Sequence, residues 1–265
     1  MIAKLHITTA LRDGITYFKE SYFTPPFKVA NITEDKKANK LNLMLMCSSP
    51  GILDEDIYEM KIELAEECFL QLHTQSYQRL FTMKKGASQR MNVHLQPNAS
   101  FIYLPHPSVP HEDSIFTAIN KIYLTDGCTL VWGEVLTCGR KLNGEVFKFS
   151  KYHNITEIYL NNKLIIKENL LMQPATINVK AIGQLEGFTH QATLIYLNET
   201  VDTKKLNKTI SNYLSLQVGI IFGISTPQKN GLIIRLLGQK GEQLDNCLKA
   251  ITTQLPIIKQ VAYAI

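Results

Sequence analysis

Hydrophobic and polar residues alternate with period two along much of the chain. Tyr58, Met60, Ile62 and Leu64 fall on one side, and Glu59, Lys61 and Glu63 on the other. Successive side chains of a strand point to opposite faces, so this pattern predicts a half-buried strand. Met91, Val93 and Leu95 repeat it. Residues 41–46 are more nearly apolar on both faces, which predicts a strand between two layers. Residues 155–160 and 163–166 flank Asn161-Asn162, and asparagine tolerates the left-handed turn conformation, so the stretch predicts a hairpin. Residues 115–124, 129–137, 193–197, 218–224 and 232–237 are further candidate strands.

Helical spacing is confined to the C-terminal third. Asp202 can cap a segment in which Leu206, Ile210 and Leu214 recur every four residues. Between residues 242 and 260, Leu244, Leu248, Ile251, Leu255 and Ile258 mark one face, and Pro256 should kink or end that helix. Core packing is the default meaning of both stripes. The chain has no exact internal repeat, and its loop stretches, 34–40 and the proline-containing 105–113, are too short to demand a boundary. The prediction is a mostly β fold, a single layered or spiral strand domain over residues 1–265 with two α-helices in its last third.

Composition narrows the function. Charged residues make up 19% of the 265 residues, below the usual quarter, which leans towards stable partner contacts. The formal charge is +5, but the densest basic spots are pairs such as Lys36-Lys37, Lys84-Lys85 and Lys204-Lys205. A nucleic-acid binder concentrates such residues in one stripe, so no nucleic-acid partner is expected. Five cysteines with no C-x-x-C pair argue against a disulfide framework and against a zinc site built from local pairs. No charged leader with a long apolar run opens the sequence and no stretch approaches a membrane span, so it reads as cytoplasmic. Sequons such as Asn154-Ile155-Thr156 are then chance.

The signatures of common catalytic machineries, G-x-S-x-G, H-E-x-x-H, the Walker loop and G-x-G-x-x-G, are missing, which counts against an enzyme without excluding one, since triads assemble from distant positions. Three stretches could still carry chemistry. The turn Pro50-Gly51-Ile52-Leu53-Asp54-Glu55-Asp56, followed by Glu59, delivers carboxylates that could hold a divalent cation. His106, His111, Glu112 and Asp113 cluster in the proline-containing loop, and imidazole suits nickel and zinc. In the stretch from Trp132 to Phe147, two apolar segments flank a turn holding Gly139, Arg140 and Gly144, with glutamates at 134 and 145. On bare chemistry it is a hairpin in which Arg140 pairs with Glu134 or Glu145. Glu134 and Glu145 could instead be the paired carboxyl groups of a carbohydrate-active β-fold enzyme.

Those stretches, in that order, resemble the urease accessory protein family UreD/UreH. In the acidic turn Gly51 and Asp56 match the family pattern, while Pro50 and Glu55 replace glycines. Thr74-Gln75-Ser76-Tyr77-Gln78-Arg79-Leu80-Phe81 fits a second family stretch, and Tyr103-Leu104-Pro105 a third, with Ile102 where the family commonly has glutamate. Glu134, Gly139, Arg140, Gly144, Glu145 and Phe147 match the anchoring Glu-x-x-x-x-Gly-Arg-x-x-x-Gly-Glu-x-Phe signature, and Arg235-Leu236-Leu237-Gly238 resembles the C-terminal strand. The resemblance implies one domain of spirally arranged strands with two helices. It implies a scaffold that binds a UreF-type accessory protein and, through it, a UreG-type GTPase, docks on urease apoprotein and assists nickel delivery, with an internal tunnel as a proposed route. It implies no tightly bound cofactor. Nickel would be held only in transit, and Asp56 and Glu59, with Glu145 as a third, are the candidate carboxylates; Arg140, Gly139, Gly144 and Glu134 are expected to be structural. A purely structural scaffold without nickel passage is the plainer alternative.

Overall fold

A computed structural model describes residues 1–257. In chain order the strands are β1 (Ile2–Arg12), β2 (Ile15–Phe23), β3 (Phe27–Asn31), β4 (Leu41–Cys47), β5 (Ile57–Leu64) and β6 (Phe69–Thr74). Then come β7 (Gln78–Leu80), β8 (Ala87–Leu95), β9 (Ser100–Tyr103), β10 (Ser108–Pro110), β11 (Ile115–Leu124) and β12 (Thr129–Leu136). The last third holds β13 (Lys151–Leu160), β14 (Lys163–Met172), β15 (His190–Asn198), α1 (Thr203–Ser215), β16 (Ile221–Ser225), β17 (Gly231–Gly238) and α2 (Gly241–Thr252).

The strands form two sheets. In the first, β13, β11, β8, β5 and β1 lie parallel, flanked by antiparallel β14 and β2. The second has the order β16-β17-β15-β12-β9-β6-β4-β3. Parallel neighbours need a crossover, and here the crossover is a strand of the facing sheet instead of a helix. The chain steps from β4 to β5 to β6, from β8 to β9, and from β11 to β12 to β13, changing sheets each time. The product is a coil of stacked sheets, mostly β, with two helices in the last third as expected.

Three layers result. Leu5, Ile7, Ile62, Met91, Val93 and Ile122 of the first sheet meet Leu43, Leu72, Phe101, Leu130 and Trp132 of the second. On the other face of the second sheet, Val131, Val135, Leu194 and Ile234 pack under Leu206, Ile210 and Leu214 of α1 and Leu244, Leu248 and Ile251 of α2. Strand β12 is therefore covered on both faces, with Trp132 towards the first sheet and Val131 and Val135 towards the helices. No helix among the described residues is long and apolar enough to cross a membrane.

Local rules hold at the ends of elements. Asp202 caps α1, its carboxylate accepting from the amides of Lys204 and Lys205, both at 3.1 Å. Asn161 and Asn162 take φ of 49° and 64° and close the β13–β14 hairpin, which extends to Met172. Three expectations are corrected. The strand predicted over 218–224 begins at Ile221, because Val218 still belongs to the turn after α1. The helix predicted to 260 ends at Thr252; a proline ring clashes with the carbonyl four residues back, and that residue from Pro256 is Thr252. Ile258 of the predicted stripe lies outside the described residues. Finally, 132–147 is not a hairpin: β12 ends at Leu136, a short 3-10 turn spans Lys141–Asn143, and the next strand, β13, belongs to the other sheet.

Removing the α1 cap tests the helix's dependence on it. Asp202→Ala should lower stability by about 1 kcal/mol, while Asp202→Asn stays within a few tenths, in urea melts followed by circular dichroism.

Candidate functional site

Inward positions of the first sheet are apolar along most of their length. Among the exceptions are Asn120 on β11 and Asn154 and Thr156 on β13, all buried. Asn120 and Thr156 are register partners, and the Asn120 amide donates to both Asn154 Oδ1 and Thr156 Oγ1 at 3.0 Å. A buried polar group needs such partners. Opposite them, β12 presents Glu134. Its Oε1 accepts from the Trp132 indole N–H at 2.7 Å and from Thr156 Oγ1 at 3.0 Å, and its Oε2 accepts from Asn154 Nδ2 at 2.5 Å. Three neutral donors thus hold one carboxylate between two sheets.

Glu134 keeps accessible surface although it lies deep, because that surface faces internal space. On one side is a cavity of about 130 Å3, walled by Tyr58, Met60, Phe116, Tyr103 and Tyr152, with Cys47, Ser49, Gln75, Tyr77 and His106 at its outer end. On the other is a second cavity, of about 150 Å3, running past Thr193 and Gln191 to Glu168 and Arg235. Trp132, Glu134 and Asn154 wall both. A water occupies about 30 Å3 of liquid, so each space admits a partly hydrated ion. Burial raises the pKa of Glu134, with the Glu168 charge adding to it and the three hydrogen bonds opposing. Burial likewise pushes the phenols of Tyr58, Tyr103 and Tyr152 up, so these walls stay neutral.

The other predicted site residues, Asp56, Glu59, Gly139, Arg140, Gly144 and Glu145, line neither of these cavities. Asp56 is 3% exposed; it accepts from the Leu53 amide at 2.9 Å and lies 3.2 Å from the Met1 amino group. Strand β5 starts at Ile57, so the acidic turn does not persist to Tyr58, and Glu59 points to the outer face, 3.8 Å from Lys4 Nζ. The two therefore do not converge on one ion. Glu145, also buried, is the partner of Arg140: Nε donates to Oε2 at 2.8 Å and Nη2 to Oε1, and the Glu112 amide adds a third bond at 3.2 Å. The pairing left open between Glu134 and Glu145 is thus resolved for Glu145. Gly139 makes the loop possible, since at φ 115° a Cβ would meet the carbonyl oxygens of Glu145 at 2.8 Å and Pro110 at 2.9 Å. Gly144 closes the 3-10 turn at φ 78°.

The histidine loop does not assemble a centre. His106 bonds Thr74 Oγ1 through Nδ1 at 3.0 Å, His111 packs on the Phe81 ring and Glu112 lies 3.6 Å from Lys148. Among the described residues no three His, Cys, Asp or Glu side chains group as a metal site. Glu145 does not line the cavities that hold Glu134, so the two carboxyls do not flank one pocket. Sequence reasoning missed Asn120, Asn154 and Thr156. Their signal was present as polar residues at inward positions of apolar strands, with Asn154 and Thr156 set aside as a chance sequon.

Fold and site define a class: a coiled two-sheet β protein with two cavities that share one carboxylate, Glu134, in their walls. The profile of the family described as UreD urease accessory protein matches residues 1–262. The chain is 49% identical over 261 residues to a urease accessory protein UreD of Flavobacterium johnsoniae, covering 98% of this chain and 94% of that protein. It is 33% identical over 250 residues to the UreD of Acetivibrio thermocellus, covering 94% and 95%. The chain belongs to the UreD urease accessory protein family.

Two outcomes follow from the charges. A carboxyl whose pKa is raised in the folded state lowers stability as pH climbs from its ordinary value of 4.5 through the raised one. The melting temperature of Glu134→Gln relative to wild type should therefore rise as pH climbs above 4.5 and level off once the raised pKa is passed, whatever the offset. Arg140 holds the Glu145 carboxyl below its ordinary 4.5, with the Glu112 amide helping, so that pair stabilises above this value and is lost as pH falls through the lowered one. Arg140→Ala should cost a few degrees of melting temperature at neutral pH, and the deficit should close in acid.

Proposed function

We propose that this protein is an accessory factor of urease maturation that gives nickel a passage between its two sheets, with Glu134 as the stopping point. The observation that carries the reading is the Glu134 carboxylate, held by neutral donors where two cavities meet. A conduit must bind its cargo well enough to admit it and loosely enough to release it. One carboxylate does this. It offers charge to a divalent ion, but it is a weaker nickel ligand than imidazole or thiolate, and the ion must compete with the hydrogen bonds of Trp132, Asn154 and Thr156. The neutral phenol and amide walls add polarity without a trap.

Family membership supports the role in maturation, and the resemblance adds the partners: a UreF-type protein, a UreG-type GTPase through it, and urease apoprotein. Exposed apolar side chains at Leu216, Val218 and Ile221, 79%, 88% and 49% accessible, support a docking role. Asp56, Glu59 and Glu145 are each committed to an ion pair away from the cavities, so the proposed route runs through Glu134 and those three serve as the comparison. The protein itself is read as non-catalytic.

The test is urease activation reconstituted from apoprotein, the UreF-type and UreG-type proteins, GTP and nickel. Glu134→Gln should assemble normally by size-exclusion chromatography yet cut activation about tenfold, the scale on which metal sites respond to lost support. Asp56→Asn and Glu59→Gln should activate near the wild-type level. Full activation by Glu134→Gln sinks the passage, and failure to co-elute with a UreF-type protein sinks the docking role.

A further inference from the structure

The start of α2 lacks a side-chain cap. Its N-cap position holds Lys240, whose side chain has no acceptor, and the amides of Gly241, Glu242 and Gln243 donate to no acceptor among the described residues. Such a helix end carries free N–H groups and a partial positive charge. Water ordinarily satisfies it; here the neighbouring strand adds a directed donor.

Strand β15 begins at His190, the register partner of Gly238 at the end of β17, so the imidazole lies beside the first turn of α2. A Cβ on Gly241 would stand 3.3 Å from His190 Cδ2 and 3.0 Å from Thr137 Cγ2. Glycine thus lets the ring edge that bears Nε2 approach the helix end. His190 is 6% exposed. Its Nδ1 lies 2.8 Å from Thr189 Oγ1, and its Nε2 has no hydrogen-bond partner among the described residues. A buried polar side chain is seldom left so. This one lines an open pocket of about 340 Å3 together with Tyr77, Arg140, Lys141, Gly241 and Glu242.

The neighbours of the ring direct its proton. Thr189 Oγ1 accepts from Lys141 Nζ at 3.3 Å, and Lys141 also supplies Gln239 Oε1, the other acceptor beside that hydroxyl, at 3.3 Å. A lysine cannot accept, so the Thr189 hydroxyl is free to donate to Nδ1, and the neutral ring then carries its proton on Nε2. Burial, and then the Lys141 charge, press the His190 pKa down to about 4, and no carboxylate counters them. The ring is neutral, and the charge that reaches it is positive. Arg140 contributes none of this, because Glu145 occupies its Nε and Nη2 and balances its charge. Glu242 is the opposing group. It is exposed, and its charge, after burial, raises the Tyr77 phenol but leaves His190 unaffected.

We propose that this pocket binds a phosphate group. A tetrahedral oxyanion presents one oxygen to the α2 amides and another to the His190 Nε2–H, with the Lys141 charge nearby. A neutral imidazole beside a helix N-terminus is a competent donor to an oxyanion. A flat carboxylate has two oxygens in one plane and reaches fewer of these donors. The volume also admits what the phosphate is attached to, so free phosphate and a phosphate monoester are the two sources. The site is independent of the passage between the sheets.

The test is equilibrium dialysis of radiolabelled inorganic phosphate against the full chain, at neutral pH and constant ionic strength, with unlabelled phosphate, acetate and ribose phosphate as competitors. One phosphate should bind per chain, and acetate should not displace it. The Kd should rise about tenfold in His190→Leu, the scale of a lost hydrogen bond to a charged group, and also in Lys141→Met. In Glu242→Gln it should fall severalfold. Lys141 and Glu242 are exposed, so those two variants carry the test if His190→Leu does not fold. Ribose phosphate competing more strongly than phosphate identifies an esterified ligand, and competing more weakly identifies free phosphate; either upholds the site. The proposal is overturned if no saturable phosphate binds, if acetate competes as well as phosphate, or if Lys141→Met and Glu242→Gln bind as wild type does.

Discussion

A carboxylate between two β-sheets must find donors or unfold its surroundings, and Glu134 sets that condition on the centre of this protein. Its two oxygens take three hydrogen bonds, and two of the donors sit on the opposite sheet. That places Asn154 and Thr156 at inward positions which apolar residues would otherwise fill, and Asn120 beside them to satisfy both. Space remains on either side of this cluster, and Trp132, Glu134 and Asn154 wall both cavities. The apolar core continues around them, from Leu5 and Ile62 at one end to Ile158 and Ile195 at the other.

The coil topology makes this arrangement possible. Each parallel pair of the first sheet is separated in sequence by an excursion through the second, so residues 29 to 55 positions apart become register partners, as Asn120 and Thr156, 36 apart, do. The helices then cover the outer face of the second sheet, and β12 is buried on both sides. A strand so enclosed holds Glu134 rigidly, because neither neighbour can move without opening a packed face. The edge position of β14 has the opposite consequence: Glu168 reaches solvent and meets Arg235 across the gap between the sheets.

The two ion pairs illustrate different uses of arginine. Arg140 and Glu145 are five residues apart in one loop and bind through Nε and Nη2 on one guanidinium edge, an interaction that shapes the loop around Gly139 and touches neither cavity. Arg235 and Glu168 are 67 residues apart and join separate sheets. The first pair is structural and local. The second ties one sheet to the other through side chains alone, since β14 and β17 each keep their own ladder partners.

What could be read along the chain was set by short-range physics. Period-two alternation placed Tyr58, Met60, Ile62 and Leu64 on the buried face of β5, Asp202 marked the start of α1, and Asn161-Asn162 turned the β13–β14 hairpin, because each depends on residues within a few positions. The Arg140–Glu145 pair was legible for the same reason, and the ordered motifs pointed to the family. The hairpin expected over 132–147 failed because the alternation of a strand does not say which sheet the next strand joins. The tertiary structure alone brought Trp132, Glu134, Asn154 and Thr156 together, set Arg235 against Glu168, and sent Glu59 outward from the buried Asp56. Those contacts depend on which strands the coil lays face to face, a choice made by the packing of whole sheets and written in no single stretch of sequence.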